Sequence, residues 1–405
     1  MSFLRNGRRQ LAGLGIGMLT IHMGMPKCGT TALQQTLASM RRGELGEIHY
    51  RGLASRGNND GFMRADPAFY GFRRPIIAGR RNPTLRLLAR GRHVVLSHEH
   101  FLGLPPERAQ GHLFESARMR AREFSEYFSR RTPTQVVISL RPQHHWVESL
   151  YKQHAKATAA SERLSSESFA QRIMASPYFR FSNLIYDLIT ELEVDSLVVR
   201  PHYLGIDSRR DFLSLLGLRL PTRLASRPSV HDSPSAHELA ALGRIREVDP
   251  YLAGWASHLL ERRDRAKASD PQSLFPRKIQ EDLIRQASED WHNLAEAVQG
   301  TKSPQPELIA KMAEKIGESS VRQYFGALDD ADSSDAMIEI TRLALRHLPY
   351  TPVALRHRWE LLWPQVLGGW RSTGQSGPRE VLSMIKRETA RLARLQRPSS
   401  TIVEK

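Results

Sequence analysis

Five residues in the stretch 24–31 have the types and the spacing that an anion site needs. Gly24 and Gly29 bracket a short loop, and Lys27 lies inside that loop. Thr30 and Thr31 follow at once and add two hydroxyl groups. The N–H groups at the start of a helix, the positive end of the helix dipole and a lysine all favour a negative charge. The stretch therefore predicts a phosphate-binding loop.

The lysine of this loop does not stand where a Walker A loop has it. That motif reads G-x-x-x-x-G-K-[ST], with the lysine directly after the second glycine. Gly24 and Gly29 have the motif's spacing, but Thr30 occupies the lysine position and Lys27 has moved inside the loop. A P-loop kinase is one alternative, and it would need the lysine in the Walker position together with Mg²⁺ ligands. The other alternative is an ordinary strand–loop–helix turn that contains a lysine.

The loop needs a strand before it and a helix after it. The stretch 19–23 is apolar and partly β-branched, which is typical of a buried strand. Leu33, Leu37 and Met40 recur at helical spacing, so the helix that begins at Thr30 has one apolar face.

Further strands and helices alternate along the chain. Strands are predicted at 47–53, 93–96, 135–140 and 196–200. Helices are predicted at 105–131, 179–192 and 208–216, the last with Ser208 as its N-cap, and the pattern is helical from residue 233 onward. This alternation predicts an α/β fold in which helices cover both faces of a parallel sheet, followed by a mainly helical C-terminal region.

A second pair of residues follows the predicted central strand 135–140. Arg141 comes directly after that strand, and Ser149 lies eight residues further on, about two helical turns into the next element. Ligands of open α/β sheets bind at the carboxyl ends of the strands. An arginine and a serine hydroxyl at this edge are therefore suited to a second phosphate group.

The charge of the chain is strongly positive and unevenly distributed. The formal net charge is +17, and residues 1–100 hold 16 Lys and Arg against 5 Asp and Glu. A basic first quarter around an anion loop suits an anionic ligand. A nucleic-acid-binding protein would also account for the charge, but we find no recognition motif and expect no specific nucleic-acid partner.

The cysteine content and the hydropathy of the sequence indicate the cellular compartment that suits the chain. Cys28 is the only cysteine, which suits a reducing, cytoplasmic environment, and no run of 18 apolar residues predicts a membrane span. The sequence of 378–396 predicts a basic amphipathic helix with Arg387, Arg391 and Arg394 on one side. It could lie on an anionic membrane surface at the inner face, or it is a packed helix with a solvated basic face.

With these residues in view, the sequence resembles the sulfotransferases that use 3′-phosphoadenosine 5′-phosphosulfate (PAPS). The stretch Gly24-Met25-Pro26-Lys27-Cys28-Gly29-Thr30-Thr31 resembles the family's 5′-phosphosulfate loop. Arg141 with Ser149 resembles its 3′-phosphate strand and helix, and the stretch 197–203 with the helix after it resembles the end of the family's core. The resemblance covers residues 18–220 and, more weakly, the chain to residue 300.

The resemblance implies a P-loop-type three-layer fold in residues 1–300, with a helical extension of unknown role in 301–405. It implies transfer of a sulfuryl group from PAPS to a hydroxyl or amine, with no metal required. Lys27 would neutralise the leaving 5′-phosphate oxygen, and Arg141 with Ser149 would hold the 3′-phosphate. The glycine-rich basic C-terminal loop of cytosolic small-molecule members is missing, which points to bacterial or carbohydrate-type members. The expected acceptor is a glycan, a glycolipid or another hydroxylated small molecule.

Such a reaction also needs a base for the acceptor proton. The stretch Ser97-His98-Glu99-His100 ends a predicted strand, and the resemblance places the base there. Glu99 falls on the base position, His98 is the second candidate and His100 the third. A zinc site of the H-x-E type would need a later C-x-x-C pair, which the single Cys28 cannot supply.

Overall fold

A computed structural model of the 405-residue chain describes residues 17–52, 87–98, 101–102, 113–114, 117–126, 132–194, 196–202, 207–225, 234–248, 250–262, 272–299, 306–328 and 333–347. These residues belong to two compact units. The first comprises the described residues of Met1–Tyr151, Ser166–Val230 and Phe275–Gln323. The second comprises those of Lys152–Ser165, His231–Leu274 and Tyr324–Lys405. The functional boundary expected at residue 301 stays a prediction.

A five-stranded sheet organises the first unit. Its strands are β1 (Met18–Gly24), β2 (Ile48–Gly52), β3 (His93–His98), β4 (Thr134–Leu140) and β5 (Ser196–Pro201). They lie in the order β2-β3-β1-β4-β5, and every neighbouring pair is parallel. β4 is buried along its whole length, as its continuous apolar sequence requires in a sheet covered on both faces. The α/β three-layer fold predicted from the sequence is thereby confirmed.

The strand order places the end of β1 at a switch point. β1 lies between β3 and β4, so the chain extends the sheet from β1 in one direction first and in the other direction afterwards. Crevices form outside the carboxyl ends of the strands at such a point, and ligands bind there. Gly24, the last residue of β1, pairs with Ser139 of β4 and opens into this crevice.

Helices cover the sheet. Those of the first unit are α1 (Thr30–Ser39), α2 (Arg42–Leu45), α3 (Ala117–Phe124), α4 (Gln143–Ala157, which continues into the second unit), α5 (Ser166–Met174), α6 (Phe181–Glu191), α7 (Ser208–Leu215), α8 (Thr222–Ala225), α11 (Arg277–Gln299) and α12 (Pro306–Gly317). On one face of the sheet, apolar residues of α1 and α7 pack on side chains of alternating strand positions; the cluster includes Leu33, Leu37, Val95, Val137, Val198 and Phe212.

A histidine is built into the middle of the sheet. His22 of β1 is fully buried, and its Nδ1 and Nε2 lie 2.9 Å from Ser97 Oγ and 3.2 Å from Ser139 Oγ. Gln34 of α1 donates to the carbonyl of Ser97 at 3.0 Å. Burial lowers the pKa of His22 from 6.5 to about 3, so the ring is neutral at physiological pH. The histidine thus joins the three central strands as a neutral hydrogen-bonding group.

The described residues of the second unit are mainly helical. Their helices are α9 (Ala236–Val248), α10 (Pro250–Arg262) and α13 (Ser334–His347), and two short strands, β6 (Gln272–Ser273) and β7 (Gln323–Tyr324), lie at the unit's borders. α9 begins with a capping box, in which Ser235 Oγ accepts from the N–H of Glu238 and the Glu238 carboxylate accepts from the N–H of Ser235. Apolar residues of the three helices form one core cluster.

Two of the predicted helices begin at different residues in the structure. α7 is capped by Asp207 and not by Ser208, because the Asp207 carboxylate accepts from the N–H of Arg209 at 3.0 Å. The helix expected over 105–131 is found at Ala117–Phe124; the prediction is wrong at residues 113–114, which form a turn in which Phe114 has a φ of 52°. The basic stretch 378–396 lies outside the described residues. Within the part of the chain that the structure describes, no helix is long and apolar enough to cross a membrane.

Candidate active site

The loop after β1 has an unusual backbone. Lys27 has a φ of 64° and Gly29 a φ of 75°, whereas Cys28 between them does not have a positive φ. Such alternation is typical of the concave backbone turns that bind anions. A lysine in the left-handed region is uncommon and costs free energy, so its presence at this loop points to a functional constraint.

Donors from later elements hold the carbonyl groups of the loop. The indole N–H of Trp146 in α4 donates to the carbonyl of Pro26 at 2.9 Å. Nη1 of Arg141, directly after β4, donates to the carbonyl of Lys27 at 3.4 Å. The carbonyl groups of Pro26 and Lys27 therefore point toward Trp146 and Arg141.

The first turn of α1 completes the loop. Thr30 is buried, and its hydroxyl donates to the carbonyl of Met25 at 3.3 Å, so this hydrogen is used within the loop. A Cβ at Gly24 would clash with the side chain of Thr30, which explains why a glycine ends β1. Gly29, the N-cap of α1, provides no side-chain cap, and the first turn carries no acidic residue. The positive end of the helix dipole is left available to an anionic ligand.

Arg141 brings a second positive charge to the loop. Burial lowers the pKa of its guanidinium, whose ordinary value is so high that the group still stays charged. Burial also raises the pKa of the Cys28 thiol to about 12, although the charge of Arg141 acts in the opposite direction. Cys28 is thus a neutral, buried thiol with a packing role in the loop, and it does not act as a nucleophile.

Three histidines lie within the electrostatic reach of Arg141. Burial lowers the pKa of His144 to about 2, that of His145 to about 4 and that of His202 to about 4, and the charge of Arg141 adds to each shift. The rings of His144 and His145 have centroids 4.0 Å apart. These histidines are neutral near pH 7, so they supply hydrogen-bonding groups beside the arginine without adding charge.

Ser149 lies in α4 next to Glu148, the buried partner of an ion pair. Its neighbour Glu148, with a side chain 7% exposed, accepts from Nη2 of Arg322. The backbone of Arg322 is fixed because its N–H and its carbonyl both bond to the side-chain amide of Gln280, at 2.9 and 3.0 Å. The charge of Arg322 also lowers the pKa values of Arg141 and of His144. A second guanidinium, from the segment after α12, therefore belongs to the surroundings of Arg141.

The start of α4 is anchored by a buried carboxylate. Asp290 of α11 accepts from the side-chain amide of Gln143 at 2.5 Å and from the N–H of Phe181 at 2.6 Å. The indole N–H of Trp291 donates to the Gln143 amide oxygen at 2.7 Å. Burial raises the pKa of Asp290, and these hydrogen bonds oppose that shift. The network fixes the helix that carries Trp146 and Ser149.

The structure brings the two predicted motifs together. Gly24, Pro26, Lys27, Cys28, Gly29, Thr30 and Thr31 form the loop and the first turn of α1, and Arg141 touches that loop. Ser149 lies two helical turns after Arg141, half-buried on α4. His98 is the last residue of β3 and pairs with Met23 of β1, which puts its backbone beside the loop. Glu99 and His100 lie outside the described residues, and the side chain of His98 is not described.

Several residues of the site were not predicted from the sequence. Trp146 is an apolar position of a helix, and only the indole N–H reveals its contact with the loop. Arg322 and His202 come from segments far along the chain, and no spacing pattern links them to residues 24–31. The signal available for His202 was its place two residues after the predicted strand 196–200.

Among the described residues, no group of three or more His, Cys, Asp and Glu side chains could hold a metal ion. No family model, no curated protein and no solved structure matches the chain.

Proposed function

We propose that the chain is a sulfotransferase that moves a sulfuryl group from PAPS to a hydroxyl or amine of an acceptor, a carbohydrate or glycolipid. The observation that carries the proposal is the contact between Arg141 Nη1 and the carbonyl of Lys27, at 3.4 Å. It joins two motifs that lie 114 residues apart and that the family resemblance assigns to two different phosphate groups of one nucleotide.

The geometry of the loop supports binding of the 5′-phosphosulfate. The left-handed backbone at Lys27 and Gly29 and the uncapped start of α1 are suited to a tetrahedral anion. In this proposal, Lys27 neutralises the charge that grows on the leaving phosphate oxygen. Such charge stabilisation in the transition state is a large part of catalysis in group transfers of this type.

The surroundings of Arg141 support a second phosphate. The positive charge of Arg322 acts on Arg141 and lowers the pKa of its guanidinium. Glu148 forms an ion pair with Arg322. An anion between Arg141 and Arg322 would relieve the repulsion of the two cations. Ser149, the residue after Glu148, adds a hydroxyl on the same helix. We assign the 3′-phosphate to this place.

The chemical step is an in-line displacement at sulfur. The acceptor oxygen forms a bond to sulfur while the bond between sulfur and the 5′-phosphate oxygen breaks, and the acceptor proton moves to a base. Glu99 is the proposed base, with His98 and His100 as the second and third candidates. The residues require no metal for this step, because positioning and positive charge provide the stabilisation.

A thermal-shift experiment separates this proposal from a kinase. Adenosine 3′,5′-bisphosphate, the product nucleotide, should raise the melting temperature more than ATP with Mg²⁺ at the same concentration, because only it carries both phosphate groups at these positions. A larger shift with ATP and Mg²⁺ would favour the kinase. Transfer of labelled sulfate from PAPS to a panel of glycans would then identify the acceptor.

A further inference from the structure

His202 lies where two strands end beside the loop. It directly follows β5, and its backbone N–H donates to the carbonyl of Leu140, the last residue of β4, at 2.5 Å. Arg141 is the next residue of the β4 segment. The histidine is therefore held at the carboxyl edge of the sheet, close to the arginine that touches the loop.

The imidazole packs against the left-handed glycine of the loop. A Cβ added to Gly29 would lie 3.0 Å from His202 Cε1, 3.5 Å from His202 Nδ1 and 2.8 Å from Ser208 Oγ. The histidine ring thus occupies the space that a side chain at residue 29 would fill. Nδ1 is near the same backbone that begins helix α1.

The Nδ1 atom of His202 is buried and has no hydrogen-bond partner among the described residues. A buried polar atom without a partner carries a cost in free energy, and such atoms in native proteins call for an explanation. The ring is neutral near pH 7, because burial and the charge of Arg141 lower its pKa to about 4. A neutral imidazole with its hydrogen on Nδ1 is a donor suited to a phosphate or sulfate oxygen.

We propose that His202 is a further ligand-binding residue whose Nδ1 donates a hydrogen bond to an oxygen of the 5′-phosphate group held at Gly29. The inference rests on the proposed function, since it assumes the same anion in the same loop. It adds a contact from β5, on the side of β1 opposite to the predicted base after β3. The anion is then held from two directions, and the contact fixes orientation without adding charge.

Two substitutions of His202 test the role of the individual nitrogen. The amide nitrogen of asparagine takes the place of Nδ1, so His202→Asn keeps the proposed donor. His202→Gln extends its amide to the place of Nε2 and removes the donor at Nδ1. Calorimetry at pH 7.5 would use adenosine 3′,5′-bisphosphate and adenosine 5′-phosphate, which share the 5′-phosphate.

We expect His202→Asn to bind both nucleotides within about threefold of the wild type, and His202→Gln to bind both about 10- to 100-fold more weakly, as for a lost hydrogen bond to a charged group. His49→Gln, on the edge strand β2, is the control and should keep the wild-type affinity. Unchanged affinity in His202→Gln, or an equal loss in both His202 variants, would overturn the inference and leave the proposed function standing. If the wild type binds neither nucleotide, the proposed function and this inference both fail.

Discussion

Arg322 donates to the nearly buried carboxylate of Glu148, and this pair connects the segment after α12 with the helix that carries Ser149. Removing Arg322 leaves the buried carboxylate of Glu148 without its ion-pair partner, although the Arg322 side chain itself is 34% exposed. We therefore expect Arg322→Met to lower the free energy of unfolding by about 1–3 kcal/mol.

The double variant Arg322→Met/Glu148→Leu should be more stable than Arg322→Met alone, since it removes both charges. Urea denaturation of the wild type, the two single variants and the double variant gives the coupling energy of the pair. A coupling energy near zero would show that the contact contributes nothing to stability.

The loop lysine should act on the rate more than on binding. We expect Lys27→Ala to reduce kcat by about 10²–10³, because the charge that Lys27 meets develops in the transition state. The dissociation constant of adenosine 3′,5′-bisphosphate should change much less. Steady-state kinetics and calorimetry on the same preparation separate the two effects, and full turnover by the alanine variant would contradict the assigned role.

Arg141 should distinguish nucleotides by their 3′-phosphate. Arg141→Ala should weaken adenosine 3′,5′-bisphosphate by about 1.5–3 kcal/mol, as expected for a hydrogen bond to a charged group, and adenosine 5′-phosphate by less. Calorimetry with both ligands measures the difference. Arg90→Ala, an exposed arginine of the same unit, is the matched control. Equal losses for the two ligands would place the 3′-phosphate elsewhere.

Gly29→Ala tests how tightly the loop is packed. Gly29 has a φ of 75° and a ψ of 9°, the left-handed region, which alanine adopts only at a cost in free energy. A Cβ at Gly29 would also lie 2.8 Å from Ser208 Oγ. Gly29→Ala should therefore lower the free energy of unfolding by about 1–3 kcal/mol. An unchanged free energy of unfolding in urea denaturation would mean that the neighbouring side chains move aside without cost.

The buried histidines should make the protein sensitive to acid. The folded-state pKa of His22, about 3, lies below its ordinary value of 6.5, so the unfolded chain binds the extra proton first. The stabilisation is present above pH 6.5 and is lost as the pH falls from 6.5 toward 3, by about 1.4 kcal/mol per pH unit for this one group. His144, His145 and His202 act in the same direction.

His22→Gln should flatten this dependence by about one proton between pH 6 and pH 4, measured by urea denaturation at several pH values. His292→Gln, an exposed histidine of α11, should leave the slope unchanged. An unaltered slope in the His22 variant would mean that this ring takes up its proton without unfolding.

The sheet and the loop were predictable because their signals are local. Apolar runs mark β1, β4 and β5, and the glycines with Lys27 mark the turn after β1. The residues that complete the site were not predictable, since they arrive through tertiary packing. Asp290 is a carboxylate in an amphipathic helix, and only the three-dimensional arrangement shows that it is buried and caps α6. Local chemistry also misled at one point, because Asp207 and Ser208 are both good caps and the structure uses the first.

The bond from Trp146 to the carbonyl of Pro26 spans 120 residues, and it limits how the loop can be moved between proteins. A peptide or a graft that carries only the stretch 18–40 would retain the glycines and the lysine but lose the indole and the guanidinium that orient its carbonyl groups. Recombination breakpoints between residues 31 and 141 would separate the two halves of one structural unit. Engineering of this site therefore has to transfer the loop together with Arg141 and the start of α4.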